Sequence, residues 1–147
     1  MSGDQQPLDH VLLDALGIDP EDCDQPQAMD SYRFALMLCW ERMVPIVGAM
    51  GARAIVEHCI RRVSKNRPRV ALLTVTHDGP DLSSMEAQPS EEDRREACIG
   101  LKELCVVVFQ TLGDLTGDVL VPLLLREIRE RQRGRRGPHP TSDPGQE

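Results

Sequence analysis

Aromatic side chains are nearly missing from this chain of 147 residues. Tyr32, Phe34, Trp40 and Phe109 are the whole set, 3% of the sequence. Few stacking platforms are therefore on offer for bases or flat cofactors, and the core must be built from Leu, Val, Ile, Met, Ala and Cys. Long apolar runs are missing as well. The nearest, 34–40, 104–109 and 119–125, are only six or seven residues each and are flanked by charge, well short of the ~18 residues of a membrane span. No membrane association is expected. Residues 1–10 have neither the basic start nor the apolar centre of a secretion signal. Cys23, Cys39, Cys59, Cys98 and Cys105 are an odd set without a dense framework. Four of them lie among apolar neighbours, as buried free thiols do, so a reducing cytoplasm is the expected compartment.

Positive charge is absent from the first thirty residues, which hold eight acids and no Lys or Arg. Residues 31–69 then hold eight basic residues against Glu41 and Glu57, and 126–136 hold six arginines against Glu127 and Glu130. The net charge of −7 thus conceals two basic zones.

What is present is helical patterning. Length fits one domain able to bury a core without disulfide or metal. Residues 1–27 read as a loosely ordered acidic segment, with a short helix over 11–16 ended by Gly17. A first long helix is expected from about 28 to 44. Its part 34–40 is apolar on all sides, as in a helix central to its bundle or covered by a second subunit. Pro45 predicts a kink or break, since its ring clashes with the preceding turn. A second helix places Ile46, Val47, Met50, Ala54, Ile55, Cys59, Ile60 and Val63 mainly on one face. Gly48 and Gly51, one turn apart, are expected to admit a neighbouring backbone. Residues 70–76 have strand-like composition but no strand partner in sight, and His77-Asp78-Gly79-Pro80 reads as a turn. Ser90 followed by Glu91, Glu92 and Asp93 marks a helix start. The stripe Ala97, Leu101, Leu104, Cys105, Val108, Phe109 and Leu112 faces a core. Residues 113–118 suggest a break. A last helix carries Leu120, Leu123, Leu124 and Ile128, with Pro122 tolerable in its first turn. The expected fold is all-α, a bundle of about four helices over 28–133, followed by a disordered Gly/Pro/Arg-rich tail over 134–147. The apolar helices predict a homodimer.

The chain carries no recognisable catalytic or metal-binding spacing. His58 and Cys59 are adjacent and so point about 100° apart on a helix, which suits a surface His beside a core Cys. Cys98 and Cys105 are about 10 Å apart along a helix, too far for one zinc. No Cys-x-x-Cys, Glu-x-x-His, His-Glu-x-x-His, Walker loop, Gly-x-Gly-x-x-Gly or Gly-x-Ser-x-Gly occurs. His77-Asp78 reads as a solvated turn. No catalytic residue, metal or cofactor is expected.

Three functional readings remain. The first is a non-enzymatic interaction or regulatory module with an unidentified protein partner. Its contacts would be Arg61, Arg62, Lys65, Arg67 and Arg69 at a helix C-terminus, and Arg126, Arg129 and Arg133. The second is a small-ligand sensor whose apolar pocket is lined by Met37, Cys39, Met43 and Met50. The third is nucleic-acid binding through the same arginines, disfavoured by overall acidity and sparse aromatics.

The segment Ile46-Val47-Gly48-x-x-Gly51-Ala52-Arg53-Ala54-Ile55, followed by Arg61-Arg62-Val63-Ser64, resembles a helix of small uncharacterised bacterial proteins. Leu112-x-x-Leu115-Thr116-Gly117-Asp118-Val119-Leu120-x-x-x-Leu124-Leu125 is similar to their later helix. The resemblance spans about residues 30–130. It implies a helical bundle and brings no activity or site residues.

Overall fold

A computed structural model describes residues 8–117 and 119–136. Five α-helices and one small hairpin make up the described chain. They are α1 (Leu8–Leu16), α2 (Pro26–Ser64), β1 (Thr74–Thr76), β2 (Gly79–Asp81), α3 (Ser83–Glu86), α4 (Glu91–Thr116) and α5 (Leu120–Arg136). Short 3-10 turns occupy Pro20–Asp22 and Pro68–Leu72. The class is all-α with a minor two-stranded addition.

α2 is not one straight rod. At Gly48 the backbone leaves the helical region (φ 80°, ψ 165°), a conformation essentially confined to glycine. Contacts on either side show that the chain doubles back there. Cys98 Sγ donates to the carbonyls of Cys23 and Gln25 at 3.5 and 3.3 Å, and Cys105 Sγ donates to the Tyr32 carbonyl at 3.4 Å. The arm 26–47 therefore runs parallel to α4. Cys59 Sγ lies 3.5 Å from Thr111 Oγ1, and Arg67 Nε donates to Glu103 at 2.9 Å. The arm 49–64 therefore runs antiparallel to α4. The contact of α2 with α4 is the most extensive in the molecule.

The break expected at Pro45 thus falls at Gly48. Pro45 itself is helical and exposed, so the ring costs its arm one hydrogen bond near the end, where fewer are at stake. Gly48 does not serve close packing either, because a Cβ there would meet nothing within 4 Å. Gly51 does meet a neighbour: a Cβ would sit 2.9 Å from Val47 Cβ across the turn.

α5 returns alongside the first arm. Arg42 pairs with Glu127, and the Arg131 guanidinium lies 5.8 Å over the Phe34 ring. α5 is hence antiparallel to that arm, and the α4–α5 connection lies at the same end as the Gly48 turn. α1 packs on α5 and α4, and Leu12, Leu13, Ala15 and Leu16 are buried. Part of the acidic segment set apart in the sequence therefore belongs to the core. The tail boundary also shifts, since α5 continues to Arg136; residues 137–147 lie outside the described residues.

The stretch with no strand partner in sight finds one locally. β1 pairs antiparallel with β2, with Val75 opposite Pro80, across the His77-Asp78 turn. Sequence pattern does not reveal this partner, because Gly79-Pro80-Asp81 has almost no strand propensity. This hairpin covers the first arm: a Cβ on Gly79 would lie 3.1 Å from Met37 Cε and 3.3 Å from Trp40 Cδ1. The all-round apolar run 34–40 is thus enclosed within one chain, by α4, by the hairpin and by Arg131 of α5. Ser90 caps α4 as expected, its Oγ accepting from Asp93 N–H at 3.0 Å. The stripe from Ala97 to Leu112 is buried. α4 runs through the expected break at 113–116 and ends at Gly117, and Pro122 sits in the first turn of α5.

Candidate functional site

Two reversals, at Gly48 and at Gly117, close the same end of the molecule. Each interrupts an apolar sequence, so side chains that continue the core pattern overshoot it and emerge into solvent. Ile46, Val47 and Met50 do so around the first turn, and Leu115, Val119 and Leu123 around the second. Met50 is 88% exposed and Val119 66%. The pairing of Arg42 with Glu127, continued one turn in opposite directions along antiparallel helices, brings Leu123 level with Ile46.

Below this apolar end lies a cleft of about 480 Å³ lined by Arg42, Leu123, Arg126, Glu127, Glu130 and Arg131. Its floor is a forked ion pair. Arg42 Nε donates to Glu127 Oε1 at 3.0 Å, the other guanidinium nitrogen reaches Oε2, and Arg131 adds a third contact at 3.1 Å. The hydrogen bond from Arg42 holds the Glu127 carboxyl below its ordinary value, against a smaller opposing effect of burial. Bidentate geometry fixes the relative height of α5 and the first arm. It thereby sets where the apolar side chains emerge.

The basic residues singled out in the sequence have two fates. Arg67 contacts Glu103 and Glu96, and Arg69 contacts Asp93 and Gln88. Both are occupied in holding the 3-10 turn against α4. Arg61, Arg62 and Lys65 are exposed on the second arm, with no carboxylate contact among the described residues. On α5, Arg129 approaches Asp14 of α1 at 3.9 Å. Arg126 and Arg133 are exposed.

The four residues expected to line a pocket do not converge. Cys39 and Met43 are fully buried among core side chains, and Met37 faces the hairpin. Met50 is on the surface beyond the Gly48 turn. The reversal separates it from the other three, which a continuous periodicity had placed together.

The thiols are core residues. Burial pushes Cys39, Cys59, Cys98 and Cys105 above their ordinary value, Cys98 to about 12. Neutral buried thiols are poor nucleophiles. Tyr32 is buried beside them, with its hydroxyl donating to the Cys23 carbonyl at 2.7 Å. His58 is exposed next to buried Cys59, and His77 is exposed with Asp78 at 3.5 Å. Among the described residues no group of three His, Cys, Asp or Glu side chains is placed to hold a metal ion.

By length and composition the stretch Gln27–Ser64 passes a simple criterion for crossing a bilayer. The reversal at Gly48 folds it into two arms packed on α4. No family model, curated protein or solved structure matches this chain.

The apolar end was not legible as a site in the sequence. Its residues come from two stretches far apart in sequence, 46–50 and 115–123, each with an ordinary helical pattern. The only local signal was a glycine within each apolar segment, Gly48 and Gly117.

Proposed function

We propose that this chain is a non-enzymatic, regulatory protein-interaction module built on a helical bundle, and that the apolar end formed at the Gly48 and Gly117 turns is its docking face. One observation carries the reading. Six large apolar side chains from α2, α4 and the start of α5 are exposed at one end. Their exposed fractions run from 42% at Val47 to 88% at Met50, and large apolar side chains gathered in solvent mark an interaction site. Leaving such area in water forgoes about 25 cal/mol per Å² that a partner would recover. The cleft beside it places Arg126 and Glu130 as polar rim groups, the arrangement of an interface with an apolar centre.

The test is a photo-cross-linking residue placed at Met50, in the full chain expressed in its native cells, with the same residue at exposed Glu92 as control. Capture of a protein at position 50 and not at 92 is expected. Equal capture at both positions, or none at position 50, overturns the reading.

A further inference from the structure

We propose that Cys23 and Cys98 form a redox modification site, at which a hydroperoxide oxidises the Cys23 thiol and Cys98 closes the product into a disulfide. The proposal is independent of the docking face.

Proximity is the first argument. Cys98 Sγ donates to the Cys23 carbonyl at 3.5 Å and to the Gln25 carbonyl at 3.3 Å. By standard bond lengths a carbonyl oxygen is about 2.4 Å from its own Cα, so the Cys98 sulfur lies within about 6 Å of the Cys23 Cα. A disulfide joins Cα atoms ~4.4–6.8 Å apart. Cys23 sits in the turn between Pro20–Asp22 and α2, where backbone outside regular helix can supply the last adjustment. The same turn is pinned beside Cys98. The Tyr32 hydroxyl donates to the Cys23 carbonyl at 2.7 Å, and Asp24 pairs at 3.5 Å with Arg95, one turn before Cys98. Access is the second argument. Cys23 is half-buried, whereas Cys39, Cys59, Cys98 and Cys105 are buried, so Cys23 is the thiol that peroxide meets first. Burial, with nearby Asp24 adding, holds Cys98 protonated, which suits a resolving partner rather than the first target.

The chemistry balances in two steps. The Cys23 sulfur takes one peroxide oxygen as the O–O bond breaks, and the other oxygen leaves with the thiol proton as water. The product is a sulfenic acid, which condenses with a thiol. The Cys98 sulfur then attacks the Cys23 sulfur: the S–S bond forms, the S–O bond breaks, and the hydroxyl leaves with the Cys98 proton as water. Two thiols are oxidised and one hydroperoxide is reduced. The new bond ties the entry of α2 to α4 across 75 residues, a long loop whose closure restricts the unfolded chain.

The experiment treats the reduced, folded full chain with hydrogen peroxide, then unfolds it, alkylates it with iodoacetamide and maps its peptides. The expected result is alkylation at three of the five cysteines and a peptide joining Cys23 to Cys98 that dithiothreitol separates. The thermal midpoint of the oxidised chain should rise by about 5 °C or more. Cys98→Ser should keep the sulfenic acid at Cys23, read as a dimedone adduct. Cys23→Ser should leave its four cysteines open to alkylation after peroxide. The wild-type map decides even where a variant fails to fold. Five alkylated cysteines in that map overturn the proposal. So does a bridge between any other pair or between two chains, a sulfinic or sulfonic acid at Cys23 in place of the bridge, or a thermal midpoint that falls on oxidation.

Discussion

The ion pair between Arg42 and Glu127 shows how much a single residue decides. It links positions 85 apart in sequence, and Arg131 closes on the same carboxylate. Because Glu127 titrates lower in the folded chain than its ordinary 4.5, the folded state favours its charged form. The stabilisation is present above about pH 4.5 and is lost as pH falls through the lower folded value. Glu127→Gln should therefore reduce stability by about 1 kcal/mol at neutral pH, as for a partly exposed pair. It should also flatten the acid limb of a stability–pH profile measured by urea unfolding. An unchanged acid limb would show that the pair has no energetic role. The thiols shift in the opposite sense. Unfolded cysteines begin to ionise near their ordinary 9.0, whereas Cys98 holds its proton to about 12. Stability should decline as pH rises through that interval. In native protein at pH 8, iodoacetamide should modify half-buried Cys23 well before the four buried cysteines. All five should react in denaturant. Rapid native labelling of Cys98 or Cys105 would contradict their burial.

At the scale of the element, two glycines act for different reasons. Gly48 holds a backbone conformation that a Cβ makes strained. Gly48→Ala should lower stability by about 1–3 kcal/mol, although alanine is the better helix former. Gly100 is helical, and its role is clearance: a Cβ there would lie 2.6 Å from Cγ2 of buried Val70 in the 3-10 turn Pro68–Leu72. Gly100→Ala gains about 1 kcal/mol of helix propensity and loses about 1–3 kcal/mol to overpacking. A net loss of about 1 kcal/mol is expected by thermal unfolding. Paired with Val70→Ala, which opens the space, the substitution at Gly100 should lose most of its penalty. A penalty that persists in the double variant would place the clash elsewhere.

At the scale of the whole molecule, α1 belongs to the folded unit. Leu12 is fully buried, and α1 packs on both α4 and α5. Leu12→Ala should cost about 2–5 kcal/mol by denaturant unfolding, the range for emptying a core leucine site. A loosely attached segment would show a change within about 0.5 kcal/mol, as at a surface position. The same packing keeps α5 at the height where Val119 and Leu123 emerge.

By itself the sequence determined the helical class, the Ser90 start of α4, the buried stripe from Ala97 to Leu112, and the core character of the cysteines. All of these follow from local periodicity, capping chemistry and residue hydrophobicity, which need no knowledge of neighbours. Only the tertiary structure decided where apolar surface ends up. Met50 continues the same helical pattern as buried Met43, seven residues earlier, yet one is core and the other 88% exposed because Gly48 turns the chain between them. Arg67 and Arg69 read as a basic surface until α4 presents Glu103, Glu96 and Asp93 to them. Gly79-Pro80-Asp81 became a strand only because Thr74–Thr76 lay beside it above Trp40. In each case the deciding contact is between residues far apart in sequence or held in an unusual backbone state, and local pattern carries no record of either.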